Sequence, residues 1–223
     1  MKKILLAGNA VTSEILCSYL RQDMRYQIVG VTVDDEFVAQ SSVSDYPTVG
    51  LSEVLGVFSP ETHSVIMAMG YNDLNRSREN MFARLKALGY AVETYTHPDA
   101  QVYTDKPIGE GSVVLPGAVI EPHARVGVNT MVWSNVTLAH HSTVEDHCWI
   151  AAGAVVSGQA KVLRNTFLGV NSTIVNAVTV EEFNIVGAGA MISRDTKPHS
   201  VHLARSAEPF RYSSEDYVKY FGI

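Results

Sequence analysis

A six-residue repeat limits what this 223-residue chain can fold into more than any other feature. From Ile108 to Ile192 every sixth residue is Ile, Val or Leu, passing through Val114, Ile120, Val126, Val132, Leu138, Val144, Ile150, Val156, Val162, Leu168, Ile174, Val180 and Val186. These three types fill 55 of the 223 positions, so such a run would arise by chance on the order of once in a billion trials. Four residues after each aliphatic comes a small side chain in nearly every hexad, as at Ser112, Ala118, Ala124, Ser142, Ala154, Ala160, Ser172 and Ala190. Three residues after it, Gly, Asn or Asp recurs at Gly111, Gly117, Asn129, Asn135, Gly153, Asn165, Asn171, Gly189 and Asp195. These types accept a positive φ at a bend. Each hexad therefore reads as a short strand plus a sharp corner, with two side chains turned inward. No helix has that period; a parallel β-helix does. With three hexads to a coil, Ile108 to Lys197 make five coils and residues eighteen apart stack.

Residues 1 to 98 alternate strand and helix. Lys3–Leu6 and Tyr26–Val33 read as strands, and Thr12–Arg21 as a helix with Ile15, Leu16 and Leu20 on one side. A third strand, His63–Met69, precedes a helix over Asp73–Leu88 that Gly89 stops. This pattern predicts a small βαβ domain whose ligand site lies at the carboxyl ends of its strands, where Gly8, Asp34 and Gly70 fall. Gly8-Asn9-Ala10 lacks the full GxGxxG pattern, so a plain turn and a phosphate-contacting loop both remain open. The expected division is an α/β domain over 1–98, an all-β prism over 99–197 and a tail over 198–223.

A formal charge of −6 with only 17 Lys and Arg argues against nucleic-acid or anionic-membrane surfaces and for small-molecule chemistry. Cys17 and Cys148 lack CxxC spacing, so no disulfide framework or structural zinc site is expected, and a reducing cytoplasm fits. Gly8-Asn9 interrupts the first apolar run too early for a signal peptide, and no apolar stretch reaches eighteen residues. Neither export nor a membrane span is expected.

The repeat, with Gly, Ala, Glu or Asp often second and a small fifth residue, resembles the left-handed β-helix of the hexapeptide-repeat acyltransferases. Its pairing with a preceding Rossmann-like domain, through Gly70-Tyr71-Asn72, Leu88-Gly89-Tyr90 and Tyr95-Thr96-His97-Pro98-Asp99-Ala100, is similar to the sialic acid O-acetyltransferases and nucleotide-aminosugar N-acetyltransferases. That resemblance implies a left-handed prism, acetyl-CoA as donor, a homotrimer with the donor in the groove between prisms, and no metal. It implies a nucleotide-linked amino sugar of bacterial surface polysaccharide as acceptor, with sugar O-acetylation as the alternative.

Acyl transfer from a thioester needs a base that titrates near neutrality. His140, at the third position of its hexad and outside the aliphatic row, looks like the base this family carries at a matching corner. His141 takes the bend position; it is either a turn residue or a partner that orients His140, in a place where several relatives carry a carboxylate. His147 reads as a bend residue and Cys148 as core, and Trp149 aligns with a second histidine of some relatives. Matching positions for the donor are Gly158, Val170 and Ala188; Gly158 stacks one coil beyond His140, where a missing side chain would leave room for pantetheine and expose an N–H toward the thioester oxygen. In the first domain the resemblance puts Gly8, Asn9, Gly70 and Asn72 around a nucleotide, and Asp34 and Asp35 stand where an acid commonly accepts from a ribose.

Two readings of other classes compete. His123, His140, His141 and His147 crowd adjacent coils, as in a γ-carbonic-anhydrase-like hydratase, although that family sets two ligands five residues apart and this chain does not. The other is a non-catalytic scaffold. Some of the outward Leu115, Trp133, Leu163 and Val175 are expected to be buried between subunits.

Overall fold

The computed structural model describes residues 1–40 and 45–222. Its first domain is built on β1 (Lys2–Ala7), α1 (Val11–Leu20), β2 (Tyr26–Val33), β3 (Thr48–Gly50), α2 (Val54–Val57), β4 (Ser64–Met67) and α3 (Arg76–Ala87). The four strands are parallel in the order β3-β2-β1-β4. Ile4, Leu5, Leu6 and Ala7 are fully buried, as expected of a central strand covered on both faces. With β2 and β4 on either side of β1, the carboxyl ends of these three strands open on a common crevice.

Two local features depart from the sequence reading. α3 starts at Arg76 because Asp73, Leu74 and Asn75 are all left-handed, at φ 49°, 49° and 65°. The 3-10 turn over Asp35–Gln40 and the three-residue β3 are too short for periodicity to reveal.

The prism has three faces, each a parallel sheet. The first runs through Tyr95–Thr96, Val113–Val114, Met131–Val132, Trp149–Ile150, Phe167–Leu168 and Ile185–Val186 to Val201–His202. The second runs from Gln101–Val102 through Thr137–Leu138 to Met191–Ile192, and the third from Arg125–Val126 to Thr179–Val180. Pairing at an offset of eighteen, such as Met131 with Trp149 and Thr137 with Val155, establishes three hexads per coil. Tyr95–Thr96 already pairs with Val113–Val114 in this register.

Inward side chains fill the prism as the large-plus-small pattern requires: Val132, Leu138, Val144, Ile150, Ala124 and Ala154 are all at 0% exposure. At the corner between the third and first faces the small position is polar. Ser112 donates to Gly127 O at 2.7 Å, Thr130 to Glu145 O at 2.8 Å and Thr166 to Glu181 O at 3.0 Å. A hydroxyl there ties three of the coils to the corner before the next. The left-handed bend recurs at every sixth residue from Gly111 to Gly189, including His123, His141, His147, Gln159, Ala177 and Phe183. Asp195 is not left-handed; the frame has ended, and Val201 pairs with Ile185 at an offset of sixteen.

The first domain packs on the outside of the prism's first face. Leu6, Leu16 and Leu20 share a core with Val113, Leu115, Met131 and Trp149. Of the four outward apolar residues, Leu115, 1% exposed, and partly buried Trp133 are covered by the chain's own first domain. Arg78, fully buried, pins the two together. Its guanidinium donates to the carbonyl and side-chain oxygens of Asn129, to Asn75 Oδ1 at 2.8 Å, to His147 O at 3.1 Å and to Cys148 O at 3.2 Å. Burial without a hydrogen-bonded carboxylate pulls its pKa down to about 10, which still leaves it a cation at neutral pH. In the tail, Ser213 caps α4 (Ser214–Phe221), none of whose residues is buried.

Candidate active site

The corner between the second and third faces holds His140 in the third position of a hexad and His141 at the bend, with φ +60°. Both are exposed, because a corner side chain at either position points away from the packed rows. The Glu121 carboxylate, one coil back, accepts from the His140 N–H at 2.7 Å and holds the backbone under the ring. His140 Nδ1 lies 3.3 Å from His141 Nδ1. The opposite edge of the ring lies over Gly158: a Cβ there would meet His140 Cε1 at 2.6 Å and Nε2 at 2.7 Å. The space expected for pantetheine is thus taken by the imidazole, and Gly158 seats the histidine.

Gly158 also carries an unusual N–H. At this hexad position the N–H of His140 is taken by Glu121, and that of Arg164 by Glu145 Oε2 at 3.2 Å. The residue equivalent to those glutamates for Gly158 is Ala139, which has no side-chain acceptor. Among the described residues no acceptor meets the Gly158 N–H. The exposed His140 imidazole thus lies against buried Gly158, whose N–H has no acceptor among the described residues.

Not every expected site residue joins them. Val170 and Ala188, both exposed, stand at the corner between the first and second faces, across the second face from His140. His147 lies at the corner that docks the first domain: Asn129 Nδ2 is 3.0 Å from its Nδ1, and Glu79 Oε1 is 3.7 Å from its Nε2. Burial depresses its pKa, against the opposing pull of Glu79. Cys148 donates to Leu163 O at 3.2 Å, and burial pushes its thiol up to about 12, leaving no nucleophile. Among the described residues no group of three or more His, Cys, Asp or Glu is arranged to hold a metal ion.

A second concavity, about 450 Å³ in volume, opens at the carboxyl ends of β1, β2 and β4. Gly8, Asn9, Asp34, Gly70 and Asn72 line it together, with Phe37, Met69 and Met81 as apolar walls. Its size suits a small-molecule ligand. Gly8 is forced by geometry: at φ +122° a Cβ would lie 2.7 Å from Ala68 O. The hydroxyl of Ser13 donates to Gly8 O at 2.6 Å and locks the turn. Asp34 pairs with Arg84 at the rim. Asp35 lies outside this pocket; its carboxylate accepts from Ser52 N at 3.1 Å and closes the loop onto β3. The pocket and His140 stand on opposite sides of the molecule, since the first domain covers the first face and His140 occupies the corner away from it.

Sequence reasoning missed three residues that shape these sites. Arg78 lies within the expected helix and carries no motif. Glu121 carries no motif, although the eighteen-residue stack puts it beneath Ala139 and thus near His140. Tyr71 meets Trp149 edge-on at 5.0 Å and Phe167 at a tilt at 4.7 Å and ties the pocket's rim to the prism, a contact no spacing reveals.

No family model and no curated protein sequence matches the chain. The α/β domain and hexad prism together define a fold shared with sugar acetyltransferases among the solved structures. Perosamine N-acetyltransferase from Caulobacter crescentus, solved with CoA and GDP-perosamine, superposes with a TM-score of 0.81 at 21% identity over 92% of this chain and 94% of its own. The acetyltransferase domain of PglB from Neisseria gonorrhoeae, in complex with acetyl coenzyme A, gives 0.57 at 26% identity over 94% and 99%. WeeI from Acinetobacter baumannii gives 0.79 at 16% identity over 90% and 96%. No helix among the described residues is long and apolar enough to cross a membrane.

Proposed function

We propose that this protein is an acetyl-CoA-dependent N-acetyltransferase acting on a nucleotide-linked amino sugar of bacterial surface polysaccharide, in the cytoplasm. The observation that carries the reading is the corner itself, where the His140 imidazole and the free N–H of Gly158 stand side by side. His140 Nε2 takes the proton of the attacking amine, and the Gly158 N–H receives the charge that develops on the thioester oxygen. Val170 and Ala188 line the path of the donor along the prism. Residues 1–98 act as a Rossmann-like domain that holds the nucleotide between Gly8, Asn9, Asp34, Gly70 and Asn72; residues 99–197 form a left-handed prism.

The opposite placement of pocket and His140 supports a homotrimer in which the pocket of one protomer serves the His140 of another, because an acceptor cannot pass through the packed prism. The test has two parts. Nucleotide-linked amino sugars, and hydroxyl sugars of the sialic acid type as a second arm, are screened with acetyl-CoA while free thiol is followed. Then inactive His140→Ala protein is mixed, through unfolding and refolding, with inactive Asp34→Ala protein. Recovered turnover is expected for a shared site; none means that each protomer serves itself. A His140→Ala variant that keeps wild-type turnover overturns the base assignment.

A further inference from the structure

The two histidines at the corner meet nitrogen to nitrogen, with Nδ1 atoms 3.3 Å apart and ring planes at 81°. A bond between two imidazole nitrogens holds one proton: one ring donates and the other presents a lone pair. If His141 is the donor, a neutral His140 carries its own proton on Nε2, the nitrogen over Gly158, and can accept nothing there. If His140 is the donor, its Nε2 is the free base.

The surroundings favour the second arrangement. The Glu121 carboxylate, bonded at 2.7 Å to the His140 backbone, puts negative potential on the His140 side of the pair. Among the described residues no carboxylate meets His141; its neighbour on the preceding coil is the His123 ring at 4.7 Å, whose Nδ1 points to Asp105 Oδ1 at 3.4 Å. Lys106 already engages Asp105 at 3.0 Å, which leaves little of that charge to act on His141. Both rings face water, so the general preference of a neutral imidazole for Nε2–H acts on each alike, and the Glu121 carboxylate beside His140 decides that its Nδ1 donates and the His141 Nδ1 accepts. Which nitrogen of a histidine carries the proton is set by the bond its other nitrogen makes.

We propose that His141 is a positioning residue that holds His140 in the Nδ1–H tautomer, an imidazole doing here what an adjacent carboxylate can do for a base. This rests on the reading of His140 as the general base. In the transfer, the acceptor's proton goes to His140 Nε2 while its lone pair bonds to the thioester carbonyl carbon. The C–S bond then breaks, and the thiolate recovers the proton from Nε2. The Nδ1–H stays donated to His141 throughout, and the charge that His140 acquires is shared with a polarisable neutral ring.

The tautomer is read directly from long-range ¹H–¹⁵N NMR spectra of the full-length protein labelled at histidine nitrogens, with His140→Asn identifying the signal. The wild type is expected to show His140 as Nδ1–H. His141→Ala should release it to Nε2–H, and His141→Asp, an acceptor only, should keep Nδ1–H. Ala is sterically admissible at this bend, since Ala177 adopts the same conformation two coils on, at φ 59°. Turnover should fall about 10- to 100-fold in His141→Ala and recover in His141→Asp. A wild-type His140 found as Nε2–H, or an Nδ1–H signal unmoved by His141→Ala, overturns the proposal. Because the spectrum needs no substrate, an Nδ1–H His140 in a protein that acetylates nothing sinks only the catalytic reading. An Nε2–H His140 in an active enzyme sinks only the positioning role.

Discussion

With His140 as the proposed base, adding one methyl group at Gly158 should separate catalysis from stability. The Cβ of Gly158→Ala would lie 2.6 Å from His140 Cε1, 2.7 Å from its Nε2 and 2.9 Å from Oδ1 of Asn176, an exposed side chain that must also give way. The imidazole edge must therefore retreat by about 1 Å to regain van der Waals distance. His140 is exposed, so the ring can move and no core packing is lost. Gly158 is not among the left-handed glycines, so its backbone accepts alanine, and the lower entropy of the unfolded chain adds about 0.4–1 kcal/mol of stability. A misplacement of about 1 Å in a catalytic group costs on the order of 10²-fold in rate, or about 2.7 kcal/mol of transition-state stabilisation. The expected variant is as stable as the wild type or slightly more so, with kcat reduced about 10²-fold. Turnover is measured by thiol release with the acceptor that the screen identifies, and stability by urea denaturation. Gly56→Ala is the control, since a Cβ at Gly56 meets nothing within 4 Å. A Gly158→Ala enzyme within about threefold of wild-type kcat would refute the reasoning, because His140 could then be displaced without consequence.

Further outcomes follow from the groups around the two sites. Arg78→Met strands the Asn129 and His147 carbonyls and Asn75 Oδ1, while Cys148 O keeps its bond from Met131 N–H at 2.9 Å, and should cost about 3–5 kcal/mol even after the guanidinium's own burial penalty is relieved. Trp133 and Trp149, the chain's two tryptophans, lie at this junction, so their fluorescence should report its loss in urea before the circular dichroism of the prism changes. His147 has a pKa lowered mainly by burial, so the unfolded chain takes up its proton first as pH falls below about 6.5. Stability should therefore be full above that pH and decline below it, and His147→Asn, suited to the same left-handed bend, should flatten this dependence in denaturation series from pH 7 to 5. Burial raises the pKa of both cysteine thiols, so native protein should not react with Ellman's reagent, whereas urea should expose Cys17 and Cys148 together with the fold.

The prism was legible because its code is local and repeated. Each hexad specifies for itself which two side chains face inward and where the backbone turns left-handed, and the pairing of Met131 with Trp149 follows from counting eighteen. The same arithmetic brings Gly158 over His140. In the first domain Tyr26–Val33 and the pocket's Gly8, Asp34 and Gly70 were readable from strand ends, but the 3-10 turn that takes Asp35 away from the pocket was not. What the repeat leaves open is which outward face is covered, and by what. Leu115 and Trp133 are apolar on an outer face whether a partner or the chain's own first domain packs there; only the docking of α1 and β1 decides. Arg78 is an ordinary helix residue until carbonyls from Asn129, His147 and Cys148, some fifty to seventy positions away, converge on it. The pairing of His140 with His141 likewise depends on ring orientation at a corner, and periodicity constrains backbone direction there but not the rotation of an exposed side chain. Spacing along the chain determined the scaffold and the corner; contacts between distant segments decided how the two domains join and which nitrogen faces which.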